Sequence, residues 1–277
     1  MEVGARSGRA ARSLLRCRAT MSPIAGSGVG RRSSIRSIEV AGGTAAFTVT
    51  GEGPGLVLPW LNFAWFATPW VDALAQHFTV VVAAPRGYAR STRLGPSERY
   101  SVDMLGDDLL AIVDAAGLDR FSLLGYSLSG AVAAWLATTE DRVDGVVAGG
   151  FPLLGPYASV LEGARRDAAD HVTIADPSPD AGFDVRAALA FYAHLATLPD
   201  GALVDGRRAK LLAYWGSEDE VLARFNGLEL LEPGLRARGV PFRVLEGVDH
   251  AGALVHHEAV LPWIADKLRG GEGGCDG

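Results

Sequence analysis

The sequence predicts an α/β domain, a mainly parallel sheet with helices packed on both faces. Three observations predict it. Short apolar runs alternate with longer amphipathic ones along the chain. One of the short runs, Thr79-Val80-Val81-Val82-Ala83, is β-branched and apolar throughout, as in a central strand buried on both faces. The chain has 277 residues, 48% of them hydrophobic, which is enough for one large core.

The elements follow in order. Ile35 to Val40 and Ala45 to Thr50 read as a starting pair of strands, turning at Ala41-Gly42-Gly43. Leu56-Val57-Leu58 is a short buried strand, Pro69 to His77 a helix, and Thr79 to Ala83 the central strand. Val102 to Ala116 carries Met104, Leu105, Leu109, Ile112 and Val113 at helical spacing and stops at Gly117. Arg120 to Leu124 is a strand, and Ala131 to Ala137 a helix. Val143 to Ala148, Ala209 to Trp215 and Phe242 to Leu245 are further strands, and Glu258 to Leu268 is the closing helix.

Between one strand and the next helix lies Gly125-Tyr126-Ser127-Leu128-Ser129-Gly130. A serine in a strand-to-helix turn, with small residues two before and two after, has the pattern of a nucleophile elbow. Such a turn lifts the Ser127 hydroxyl above the sheet and aims the Leu128 N–H at the same point. Ser129 stands where the strict motif has glycine. The competing reading makes Ser127 an ordinary helix N-cap.

Ligand sites in parallel sheets lie beyond the carboxyl ends of the strands, so partners for Ser127 belong just after later strands. Leu211 to Trp215 runs into Gly216-Ser217-Glu218-Asp219, and Phe242 to Leu245 runs into Glu246-Gly247-Val248-Asp249-His250. His250 is the candidate general base, because an imidazole titrates near neutrality. Asp219 is the candidate orienting acid, with Glu218 its rival. The competing readings are a surface histidine, and an acidic turn of Glu218-Asp219-Glu220 that caps the next helix.

These motifs, in this order, resemble the α/β-hydrolase fold superfamily over roughly Ile35 to Leu268. Arg86-Gly87-Tyr88-Ala89-Arg90-Ser91 is similar to the family's arginine-glycine turn after the fourth strand. The resemblance implies an eight-stranded, mostly parallel sheet with a small helical lid after the sixth strand. It implies catalysis by Ser127, Asp219 and His250, with an oxyanion hole from the N–H groups of Leu61, or by position Trp60, and Leu128. The chain departs from the family after the third strand, where His-Gly is usual and Pro59-Trp60-Leu61-Asn62 stands. Pro59 has no N–H to donate, and losing one oxyanion donor costs about 3–4 kcal/mol of transition-state stabilisation. Ala84-Pro85 replaces the aspartate usual before the arginine-glycine turn. The loop is rich in aromatics, and Trp60 and Phe63 are candidate substrate-binding residues. The alternative is that such aromatics pack beneath the loop.

The domain organisation expected is residues 35–268 as the hydrolase domain, with 151–200 as the lid insertion and 269–277 as a glycine-rich tail. Residues 1–34 read as a disordered or artefactual arginine-rich arm. Arg6, Arg9, Arg12, Arg16 and Arg18 meet only Glu2 in its first twenty residues, and Met21 offers a second start. An organellar transit peptide is the other reading. The net charge of −6 argues against nucleic acid as the main partner. No run of 18 apolar residues suggests a membrane span. Cys17 and Cys275 build neither a disulfide framework nor a metal cluster, which fits a reducing, cytoplasmic setting.

The expected activity is cleavage of a small apolar carboxylic ester, or a related acyl bond, through an acyl-enzyme on Ser127. The partner is then a small-molecule substrate, with no metal or organic cofactor. A non-catalytic small-ligand receptor on the same fold, supported by the altered Pro59-Trp60-Leu61 loop, and a cofactor-free haloperoxidase or perhydrolase are the alternatives. Sequence leaves the oligomeric state open.

Overall fold

The computed structural model of the protein describes residues 34–59, 69–170, 182–225 and 227–269. Strands β1 (Arg36–Val40) and β2 (Gly43–Thr50) form a hairpin, turning at Ala41-Gly42 with Gly42 at φ 85°. Then come β3 (Gly55–Pro59), α1 (Pro69–Leu74), β4 (Thr79–Ala84), α2 (Val102–Ala115), β5 (Phe121–Tyr126), α3 (Leu128–Thr139) and β6 (Val143–Gly149). Helices α4 (Tyr157–Asp170), α5 (Val185–Leu195) and α6 (Ala202–Asp205) separate β6 from β7 (Lys210–Gly216). The chain continues through α7 (Glu220–Arg224), α8 (Gly227–Ala237), β8 (Phe242–Leu245), α9 (His250–Val255) and α10 (His257–Arg269).

The eight strands form one sheet in the order β1-β2-β4-β3-β5-β6-β7-β8. Only β2 runs antiparallel to its neighbours; from β4 to β8 every pairing is parallel. The central strands alternate between two cores, because successive side chains of a strand point to opposite faces. Val57, Val81, Leu123, Val146 and Leu211 pack with α2, α3 and α5. Leu56, Val80, Leu124, Val147 and Leu212 pack with Trp70, Val71 and Leu74 of α1 and with Val260, Ile264 and Ala265 of α10. Both faces are therefore covered, which explains why these strands read as unbroken apolar runs.

Helix α2 starts where the sequence suggested. The Ser101 hydroxyl accepts a hydrogen bond from the Met104 N–H at 3.1 Å, and Gly117 at φ 74° follows the end of the helix. Helix α1 is shorter than predicted, ending at Leu74 rather than reaching His77. The His77 N–H already bonds back three residues to the Leu74 carbonyl, turning the chain into β4.

The segment between β6 and β7 is seated on the turn that follows β4. The Ala89 N–H donates to the Gly182 carbonyl at 2.9 Å, and the Asp184 N–H to the Gly87 carbonyl at 2.7 Å. The rings of Tyr88 and Phe183 stack with centroids 6.1 Å apart. Arg86, in the same turn, is buried against Asp108 of α2. Its guanidinium makes two-pronged hydrogen bonds to the carboxylate, and the Arg86 N–H adds a third contact at 2.8 Å. The Nη1 of Arg86 also donates to the Ala41 carbonyl.

Candidate active site

Ser127 sits at φ 55° and ψ −124°, one of two non-glycine residues with positive φ among those described. Such a backbone costs an L-residue of order 1–3 kcal/mol and persists only where its surroundings enforce it. The enforcement is visible. The Ser127 N–H donates to the Gly149 carbonyl at 2.8 Å, and the Ser127 carbonyl accepts from Ala131 at 3.1 Å, closing the first turn of α3. A Cβ on Gly125 would lie closer than 3.0 Å to the Ser129 carbonyl, so the turn closes only around glycine. The Ser127 side chain makes no cap hydrogen bond, which removes the N-cap reading. Leu128 is the first residue of α3, and its N–H has no partner inside the helix.

Asp219 and His250 come from the ends of β7 and β8. Gly216 lets the two loops meet, since a Cβ there would lie closer than 3.0 Å to the Val248 carbonyl. The loops are laced by Ser217 N–H to the Leu245 carbonyl at 2.9 Å, Glu218 N–H to the Val248 carbonyl at 3.0 Å, and Gly247 N–H to the Ser217 hydroxyl at 2.8 Å. Asp219 is fully buried, and its Oδ2 lies 2.8 Å from Nδ1 of His250. Its Oδ1 accepts from the N–H groups of Val221 and Leu222 at 3.0 and 2.9 Å, capping α7. The capping and imidazole-partner readings are therefore both realised, one by each oxygen. Glu218 is exposed. The Asp249 carboxylate caps α9 through the Gly252 N–H at 2.7 Å, and His250 is the first residue of that helix.

The structure thus puts Ser127, Asp219 and His250 at the carboxyl ends of β5, β7 and β8. His250 meets Asp219 directly and meets the elbow through Tyr126, whose hydroxyl donates to the His250 carbonyl at 2.7 Å. The Ser127 hydroxyl makes no hydrogen bond to the imidazole among the described residues. Trp60, Leu61 and Phe63 lie outside the described residues. Two contacts of His250 have no sequence signal: the Tyr126 bond, and that from the His250 N–H to Glu220 Oε2 at 3.3 Å. Each joins positions far apart in the chain and becomes visible only once the loops are folded. Among the described residues no cluster of His, Cys, Asp or Glu is arranged to hold a metal, and no helix is long and apolar enough to cross a membrane.

The sequence model of the alpha/beta hydrolase fold matches residues 53–239. This chain belongs to the alpha/beta hydrolase fold family. Its curated relatives include the putative carbamate hydrolase RutD of Caulobacter segnis, 26% identical over 196 residues, or 65% of this chain and 66% of that one. Epoxide hydrolase B of Mycobacterium tuberculosis is 26% identical over 216 residues, or 71% of this chain and 57% of that one. The chain spans less than two thirds of the length of these relatives. Among solved structures, a thermophilic esterase from Thermogutta terrifontis superposes with a TM-score of 0.62 at 19% identity, covering 86% of this alpha/beta hydrolase chain and 99% of its own. That likeness is one of fold.

Proposed function

We propose that the chain is a serine hydrolase that cleaves a small apolar carboxylic ester through an acyl-enzyme on Ser127. The observation that carries this reading is the strained, uncapped Ser127 at the same sheet edge as the Asp219–His250 pair. The Asp219 carboxylate holds a proton on Nδ1 of His250, which leaves Nε2 to accept one. A rotation of the Ser127 hydroxyl toward Nε2 sets up attack, and such contacts commonly tighten only when substrate binds. The serine oxygen bonds to the acyl carbon as its proton passes to Nε2. The tetrahedral intermediate then collapses, and His250 returns that proton to the departing alcohol. Water repeats the sequence, releasing the acid and restoring the serine.

The oxyanion is received by the Leu128 N–H at the start of α3, where the helix dipole favours negative charge. Leu61 supplies the second N–H in this reading, and Trp60 and Phe63 line the acyl pocket. The helices between β6 and β7 act as the lid, excluding water from the site. Their small size favours a compact substrate.

The test is labelling by a fluorophosphonate, which is lost in Ser127→Ala, together with turnover of nitrophenyl esters of rising chain length. A folded protein that neither labels nor turns over any ester would favour a ligand receptor on this fold. The likeness to putative carbamate hydrolases supports a second reading, in which the scissile carbonyl belongs to a carbamate. Turnover of a nitrophenyl carbamate in preference to every nitrophenyl ester would favour it.

A further inference from the structure

Tyr126 immediately precedes the elbow serine, yet its side chain serves the histidine. The hydroxyl donates to the His250 carbonyl at 2.7 Å in a fully buried setting, 124 residues away in sequence. The ring centroid lies 5.0 Å from that of the imidazole. Space for the phenol is made by two consecutive glycines at the end of β6. A Cβ on either Gly149 or Gly150 would lie closer than 3.0 Å to the Tyr126 ring, and Gly150 adopts φ 57°.

Behind Tyr126 stands Tyr214 of β7, with ring centroids 5.6 Å apart, and Tyr214 in turn packs against Trp70 at 6.3 Å. The Trp70 indole N–H donates to the Leu254 carbonyl at 2.6 Å. The six-residue helix α9 is therefore gripped at its first residue by Tyr126 and at its fifth by Trp70. So short a helix has little stability of its own. Its position is set by these two donors and by the Asp219–His250 contact. Burial pushes the Tyr126 phenol far above its ordinary range, so it stays a donor across the working pH range.

We infer that Tyr126 is a positioning residue: its hydroxyl holds the main chain of His250 and so fixes where the imidazole stands relative to Ser127. One rigid residue of β5 then locates both partners of the proton transfer. The inference rests on the acyl-transfer reading above, in which Ser127 and His250 act together.

The test compares the rate and final extent of fluorophosphonate labelling in the wild type, Tyr126→Phe and Tyr214→Phe. Tyr214→Phe is the control, since it removes a buried hydroxyl of the same ring cluster that has no hydrogen-bond partner among the described residues. The expected result is a labelling rate constant about 10- to 100-fold lower in Tyr126→Phe, because displacing a reacting group by an ångström costs on that order. The final extent stays at one label per chain, and Tyr214→Phe stays within about twofold of the wild type. An unchanged rate in Tyr126→Phe, an equal fall in both variants, or a lower final extent at unchanged rate, as from a misfolded fraction, would each overturn the inference. A wild-type protein that does not label at all overturns the acyl-transfer reading, and the positioning role falls with it.

Discussion

The carboxylate of Asp219 is divided between two tasks: Oδ2 faces Nδ1 of His250 at 2.8 Å, while Oδ1 caps α7 through Val221 and Leu222. Two substitutions separate the tasks. Asp219→Asn keeps an oxygen for the cap but turns an N–H donor toward the imidazole, which reverses the tautomer. Its kcat on a nitrophenyl ester is expected to fall about 10⁴-fold, with the melting temperature nearly unchanged. Asp219→Ala loses activity similarly and also loses about 1 kcal/mol of cap stabilisation, read in urea unfolding.

The elbow makes a second comparison possible, between identical substitutions at two glycines. Gly117 has φ 74°, and a Cβ placed on it would meet nothing within 4 Å among the described residues, so Gly117→Ala meets only backbone strain, about 1–2 kcal/mol. At Gly125 the new methyl meets the Ser129 and Gly130 backbone of its own turn, which cannot move without opening the elbow. Gly125→Ala is expected to destabilise by more than Gly117→Ala in urea unfolding and to abolish fluorophosphonate labelling, whereas Gly117→Ala labels at the wild-type rate.

Sequence patterning made most of the sheet legible, because strands buried on both faces are apolar without interruption. Val80 to Ala83 and Leu123-Leu124 needed no tertiary information. The two loops carrying Asp219 and His250 were legible by their place after strands, which made Asp219 the candidate acid with Glu218 its rival. In the structure Asp219 is fully enclosed against His250 and Glu218 is exposed, a difference that adjacent acids in a turn do not announce. Helix α9 was missed because six residues carry no helical period, and the five residues of α7 were signalled only by the acidic turn that caps it. Helix α8 was missed because Gly227, Pro233 and Gly234 mask its pattern. The partner of Arg86 was hidden for another reason: Asp108 lies on what looks like an ordinary amphipathic helix, 22 residues away.

The start of α5 carries a pH dependence. Burial alone would raise the Asp184 carboxyl, but the hydrogen bonds and charge of Arg186, with the Tyr100 hydroxyl, outweigh it and hold the group below its usual value. A carboxyl depressed by folding stabilises the native state above its unfolded pKa, about 4, and that contribution is lost as pH falls through the lower native value. The stability difference between wild type and Asp184→Asn, measured by urea unfolding at several pH values, is therefore expected to be flat above about pH 5 and to shrink steadily below pH 4. A difference that grows on acidification would contradict this.

The Arg86–Asp108 pair and the Arg120–Asp144 pair present similar chemistry in opposite surroundings. The first has side chains 5% and 1% exposed; the second, 60% and 50%. Asp144→Ala is expected to cost under about 1 kcal/mol, because water screens the exposed pair. Asp108→Ala strands a buried guanidinium and leaves the Arg86 N–H without its acceptor, so a loss of about 3–5 kcal/mol is expected in denaturant unfolding. Pairing an apolar partner change, Arg86→Met with Asp108→Leu, removes both charges together. That double variant should be more stable than Asp108→Ala, although the orphaned Arg86 N–H still costs about 1–3 kcal/mol. Because this pair anchors the turn on which the α5 segment is seated, the single variant should also loosen the contact between Gly87 and Asp184. Faster hydrogen exchange at the Asp184 N–H in Asp108→Ala than in Asp144→Ala is the expected sign of it.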